Sequence, residues 1–353
     1  MEKRTFLTKD ETNFVKTIAI IFMLVHHFLG FPEWLENGIN INYLPVKVKG
    51  IPLEIAIAGQ FKICVAMFAF VTGYGWYLSG KTTLKKSVSR IVKIIGVYEI
   101  CLFIEYLATL IIDSSFISIR DILNQVTLCF LRGGLFIHFA WYIQFYILAI
   151  ITYPLIMRVQ KIDNKYMQLG IAIVPFWGGY FLLKVLGISY CLNGIPNGYF
   201  IYMPCVLMGT WIARYMNSIK KCQEKSILGG ILGTILIVFL LVVRYVLGGR
   251  QYLDVFFTPI LIYILINIYI SFGLNKFSYK RIAENSTYMW LLHSIFFLTP
   301  GAYFFQKILY FPKASILVCI WGIIIVSITS SAVKYVYQRG ITYVNICRRI
   351  HKK

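Results

Sequence analysis

Two adjacent histidines, His26 and His27, stand inside the apolar run NFVKTIAIIFMLVHHFLG at residues 13–30. Imidazole, with an unperturbed pKa of about 6.5, is the side chain best suited to accept a proton at neutral pH. Inside a membrane-length run an ionisable group is expensive. It marks chemistry, a transport path or a hydrogen bond to a neighbouring helix. Lys16 opens the same run, and His27 follows eleven residues later. At about 100° and 1.5 Å per residue, that step is roughly three turns plus 20°, with a rise of about 16 Å. Lys16 and His27 therefore share one helix face, a cation toward one end of a span and a base toward the other. His26 points about 100° away from that face.

The elements that must hold these groups are membrane helices. The chain has 353 residues, of which 59% are hydrophobic and 14% charged, with a mean hydropathy of +0.72. Soluble domains carry about a quarter charged residues. The expected fold is all-α, a polytopic transmembrane helical bundle forming one domain over residues 1–353. About ten spans are predicted, at 14–31, 55–79, 94–112, 136–157, 167–187, 198–215, 227–247, 252–273, 286–306 and 314–337. Segment 122–131 is apolar but too short to cross, and reads as interfacial or re-entrant. No small-x-small cleavage site follows the first run, so no cleavable signal peptide is expected. The loops are short; the longest, 32–54, has room for a small helix but not for a further domain.

The net charge of +21 would suggest nucleic acid in a soluble protein. Here the basic residues alternate with the spans. If the N-terminus is cytoplasmic, 25 of the 35 Lys and Arg fall on cytoplasmic segments and 8 on outer ones, counting span-end residues with the loops they adjoin. Lys62 and Lys184 lie within spans. This asymmetry predicts that both termini are cytoplasmic. The eight cysteines are not at C-x-x-C spacing, and most fall in apolar spans, where small buried hydrophobes are the simplest reading. No zinc pattern and no Gly-rich phosphate loop is present.

Other polar residues in or near spans have two readings each. The segment KTTLKKSVSRIVK at 81–93 reads as the densest basic loop. Lys85, Lys86 and Arg90 either meet anionic lipid heads or bind an anionic donor. Trp141 and Tyr142 are an aromatic belt or a stacking surface for a sugar ring. Glu99 and Glu105, on different faces of the third span, read as counter-charges for a buried cation. Arg244 and Asp254 flank a short turn and read as a pair. His293 lies about two turns into the ninth span.

Four stretches in order resemble the integral-membrane acyltransferase 3 family. Asn13, Lys16 and His27 are similar to its opening helix, in which an Asp is followed by an Arg and, eleven positions after the Arg, a His. Lys16 stands where the family has Arg, keeping the charge but losing the planar fork, and Asn13 stands where it has Asp. MFAFVTGYG at 67–75, with Thr72 in a Ser position, HFAWYI at 138–143, and ENSTYMWLLH at 284–293 are similar to later segments. The resemblance covers residues 13 to about 300 and implies a membrane O-acyltransferase acting on carbohydrate. It implies acetyl-CoA as donor, no metal, and a cell-surface or extracellular polysaccharide or its lipid-linked precursor as acceptor, at the cell membrane. In that frame His27 is the general base, His293 a second catalytic histidine and Lys16 a donor contact. Thr72 is a polar neighbour. A flippase with His27, Glu105 and Lys62 along a pathway, or a polysaccharide polymerase, is the competing reading. Inverted Gly/Pro-interrupted helices would favour the first, and a large charged outer loop the second. Neither feature is present.

Overall fold

A computed structural model describes residues 6–80, 84–112, 141–159, 164–188, 195–216, 225–297, 299 and 301–350. The predicted segment 122–131 lies outside these. The described chain is mostly helical, and its one sheet is a two-stranded hairpin. Its helices are α1 (Lys9–Leu29), α2 (Leu53–Gln60), α3 (Cys64–Leu78), α4 (Leu84–Ile112), α5 (Trp141–Val159), α6 (Lys165–Val185), α7 (Ile195–Tyr215), α8 (Ile227–Val246), α9 (Asp254–Ser271), α10 (Lys280–Leu292), α11 (Ala302–Leu309) and α12 (Ser315–Ile350). Seven stretches among the described residues are long and apolar enough to cross a membrane, α2 and α3 together forming one of them.

α1 starts where its sequence says it should. Thr8 and Glu11 form a reciprocal capping box, with Thr8 N donating to Glu11 Oε2 at 2.7 Å and Glu11 N to Thr8 Oγ1 at 3.2 Å. The helix then runs through the middle of the bundle against α3, α10 and α12. Most of its apolar residues are buried there, including Val15, Ile20 and Leu24 at 0% exposure. By contrast, one side of α8 is bare: Ile235, Leu236, Phe239 and Val242 are all exposed. That contrast is the signature of helices whose outer solvent is lipid.

Small residues set the tightest contact in the bundle. A Cβ on Gly73 of α3 would fall 1.8 Å from the Val206 carbonyl oxygen of α7. One on Gly209 of α7 would fall 2.1 Å from the Phe70 carbonyl oxygen of α3. The two helices therefore touch backbone to backbone, and Thr210 Oγ1 clips them together by donating to Gly73 O at 3.2 Å. Where hydrocarbon surrounds the protein, close backbone approach of this kind supplies much of the helix–helix attraction.

The structure corrects two sequence expectations. The span 286–306 is not one helix. α10 ends at Leu292, a 3₁₀ turn follows over His293–Phe296, and α11 starts only at Ala302. Ser294 Oγ donates to the Leu291 carbonyl at 2.7 Å, and Gly301 takes a left-handed φ of 80°. The basic segment 81–93 is not a loop beyond residue 83, because α4 begins at Leu84 and carries Lys85, Lys86, Arg90 and Lys93 on its first turns. The segment 32–54 contains no α-helix before Leu53. It holds a 3₁₀ turn at Pro32–Trp34 and a hairpin, Lys47–Val48 with Ile51–Pro52. Lys49 and Gly50 turn that hairpin at φ 50° and 84°, as a primed two-residue turn requires.

The α3–α7 contact yields a paired test. Gly73→Ala is expected to destabilise the detergent-solubilised protein by about 1–3 kcal/mol, because backbone cannot move aside. Gly75→Ala, one turn-fraction away with nothing within 4 Å of the added Cβ, is expected to melt no lower than wild type. Thermal midpoints of the two variants check this.

Candidate functional site

Lys16 and His27 both line one cavity of about 750 Å³, as their shared helix face requires. Met23, between them on that face, lines it too. α3 supplies Thr72, α4 supplies Arg90, and the start of α5 supplies Trp141 and Tyr142. These residues were separately selected in the sequence and meet at one place. Lys86 is exposed on α4 and is not among the lining residues; the Lys85 side chain lies outside the description. Thr72 sits beside Tyr142, whose ring packs edge-on against Trp290 at 5.5 Å. Arg90 stacks over the Trp76 ring at 5.8 Å.

His293 does not line the cavity but stands directly behind His27. Its Nε2 is 3.1 Å from His27 Nδ1, and the side chain is fully buried, at 0% exposure. The break after Leu292 makes this contact: the 3₁₀ turn presents His293 toward α1. Partners decide the tautomers. His293 Nδ1 faces the Trp290 carbonyl, which can only accept, so in the neutral ring the proton is on Nδ1 and Nε2 is an acceptor. His27 Nδ1 lies 3.0 Å from the Met23 carbonyl and 3.1 Å from that acceptor nitrogen. It must therefore carry the proton of neutral His27, which leaves the lone pair on His27 Nε2. When Nε2 takes a proton, His293 still accepts from Nδ1 and stabilises the cation, as a carboxylate does in a hydrolase triad but without a charge.

The turn that carries His293 is itself braced from α4. Ser294 Oγ lies 2.6 Å from Glu105 Oε1 and 2.7 Å from the Leu291 carbonyl, its one hydroxyl proton serving one of them at a time, and Glu105 is fully buried, at 0% exposure. Among the described residues no cation pairs with Glu105, so the counter-charge expected of it is not seen; it holds a turn instead. His26 has the neighbouring-helix role. It donates from Nδ1 to the Ala58 carbonyl at 2.7 Å, although its ring also reaches the cavity wall. Above His27 the rings of Phe31 and Trp34 stack at 3.8 Å and 6°, nearly parallel to the imidazole at 21° and 16°.

Beyond His26 lies a buried ion pair. Arg244 and Asp254 meet in a fork, Nε to Oδ1 at 2.7 Å and the second guanidinium nitrogen to Oδ2 at 3.0 Å. A further Arg244 nitrogen donates to Gln60 Oε1 at 2.8 Å. The pair expected across the α8–α9 turn therefore also anchors the end of α2, next to the 3₁₀ segment Phe61–Ile63 that carries Lys62.

A family model described as an acyltransferase domain, that of acyltransferase 3, matches residues 10–331. The chain belongs to the acyltransferase 3 family. Searches of curated proteins and of solved structures each returned no match. Membership makes this a membrane acyltransferase, and the four family-like stretches converge on its cavity: Lys16 and His27, Thr72, Trp141 and Tyr142, and His293 directly behind.

The sequence placed Lys62 only on the competing flippase pathway and gave Lys93 and Lys334 no individual role, yet all three line the cavity. Lys62 was legible as a charge inside a span. Lys93 and Lys334 were hidden because they fall at the ends of the expected spans 94–112 and 314–337, where positive charge is expected anyway. The tautomer relation predicts that His293→Ala lowers acyl-transfer turnover by roughly 10²–10⁴ at unchanged membrane levels. His293→Gln, which restores an acceptor, is expected to recover part of the loss. Equal loss in both variants with intact protein would deny the hydrogen-bond role.

Proposed function

We propose that this acyltransferase transfers acetyl from cytoplasmic acetyl-CoA to a hydroxyl of a cell-surface or extracellular polysaccharide, or of its lipid-linked precursor, with His27 as general base. The observation that carries the reading is the His27–His293 pair at one end of a cavity whose other end is cationic. Arg90, Lys93 and Lys334 join Lys16 on the wall, and Lys62 adds a further cation on the histidine side, against the single carboxylate Glu284 among the described lining residues. Glu284 is shared between Lys334 at 3.4 Å and Lys280 at 3.9 Å, so the wall keeps a large positive excess. A donor with phosphates at one end and a thioester at the other fits such a wall, phosphates at the Lys16 end and thioester at His27.

In this mechanism the acceptor hydroxyl approaches His27 Nε2, which takes its proton as the oxygen attacks the thioester carbonyl. His27, now cationic, returns the proton to the departing thiolate. Lys16 supplies a point charge to the donor's phosphates, with Arg90 beside them. Trp141 and Tyr142 offer flat surfaces against which a sugar ring can stack. Both termini and the basic start of α4 face the cytoplasm, where the donor is made. The protein resides in the cell membrane.

Labelled acetyl-CoA supplied to purified protein in vesicles tests the reading: label is expected on glycan, whereas relocation of glycan without label would indicate a transporter. At matched expression, His27→Ala is expected to abolish most transfer while His26→Ala retains much of it. The opposite result would move the base by one residue. Lys16→Arg is expected to be tolerated and Lys16→Ala to raise the apparent KM for acetyl-CoA. The wild-type rate is expected to fall on the acid side, as protonation removes the base.

A further inference from the structure

Lys62 is the unassigned charge nearest the chemistry. It sits on the 3₁₀ segment Phe61–Ile63, which interrupts an otherwise continuous apolar stretch between α2 and α3. Its side chain lines the cavity together with His26 and His27. Its ammonium makes no hydrogen bond and no ion pair among the described residues. Asp254, a carboxylate on the neighbouring ion pair, is already gripped in a fork by Arg244. Lys62 is thus an ammonium inside a membrane span, with its neighbouring carboxylate engaged elsewhere and two neutral rings beside it. Keeping a charge there is costly unless an anion meets it at some stage of the cycle.

Its depth says which anion. Arg90, Lys93, Lys334 and Lys16 form the other end of the cavity: α1 reaches Lys16 about 16 Å of helix rise before His27, and Arg90 and Lys93 are on the opening turns of α4. Phosphates held there are remote from Lys62. What arises beside His27 is the negative oxygen of the acyl-transfer intermediate. Resting on the function proposed above, we infer that Lys62 is a catalytic residue whose ammonium stabilises this oxyanion.

The step balances. The hydroxyl oxygen bonds to the carbonyl carbon as its proton passes to His27 Nε2, and the carbonyl π pair moves onto oxygen, facing Lys62. The pair then returns, the carbon–sulfur bond breaks, and the thiolate leaves with the proton from His27. An ester and a free thiol result, with no other reactant. A charge poised where negative charge develops acts on the transition state and not on the bound donor.

Lys62→Met and Lys62→Arg in the full-length protein, with kcat, KM and the dissociation constant of a non-transferable acetyl-CoA thioether analogue, test this. Lys62→Met is expected to lower kcat by roughly 10²–10³-fold with analogue binding within about twofold of wild type, and Lys62→Arg to restore a large part of the rate. Unchanged kcat in Lys62→Met overturns the inference. So does a loss of analogue affinity as large as the loss of kcat/KM, which would make Lys62 a phosphate contact. If Lys62→Met does not accumulate as folded protein, Lys62→Gln replaces it under the same criteria. A wild type that transfers no acetyl would overturn the proposed function and this inference together. A wild type that transfers, with a Lys62→Met as fast, would overturn the inference alone.

Discussion

The buried polar groups around the cavity that find partners find them on other helices, and those ties organise the bundle. Water cannot rescue an imidazole, a guanidinium or a carboxyl group at the level of lipid tails. Each therefore ties its helix to another. His27 of α1 meets His293 after α10, His26 meets the end of α2, Glu105 of α4 meets Ser294, and Arg244 of α8 meets Asp254 of α9 and Gln60 of α2. Between these ties, apolar packing and the backbone contact at Gly73 and Gly209 fill the interior.

The site exploits one local failure of helix. Had α10 run on as an apolar span, the residue at 293 would have stayed in register with the helix and the chain at 294–301 would have been straight. Instead Ser294 competes for a helix carbonyl and for Glu105, and the chain turns. The turn presents an imidazole acceptor to His27 and so chooses its tautomer. A second interruption, at Phe61–Ile63, puts Lys62 on the same cavity wall. Irregular backbone within the membrane is tolerated where it lines a cavity or is buried in protein, and both interruptions obey that rule.

The cavity also carries different chemistry in different parts of its wall. α1, α4 and α12 supply Lys16, Arg90, Lys93 and Lys334, while the imidazoles of α1 line it elsewhere and His27 packs against the Phe31–Trp34 stack. An elongated ligand entering this space has one favourable direction. The same charges that orient a membrane protein in the bilayer here double as a wall, which is why their second role was invisible in a count of basic loops.

Composition, run length and helical periodicity determined that the chain is a multi-span helical membrane protein. They also determined that Lys16 and His27 share a face, because a helix converts spacing into direction with little help from its surroundings. The ordered motifs determined the family. Only the tertiary structure decided that His293 backs His27, that Lys62 lines the same cavity as the imidazoles, and that Lys93 and Lys334 complete the cationic wall. Those relations join residues 266 positions apart, as for His27 and His293, or lie across helix breaks. Distance across a bundle is set by side-chain packing and by where helices stop. The stop at Leu292 depended on a competition between Ser294, Glu105 and the backbone that no local pattern records.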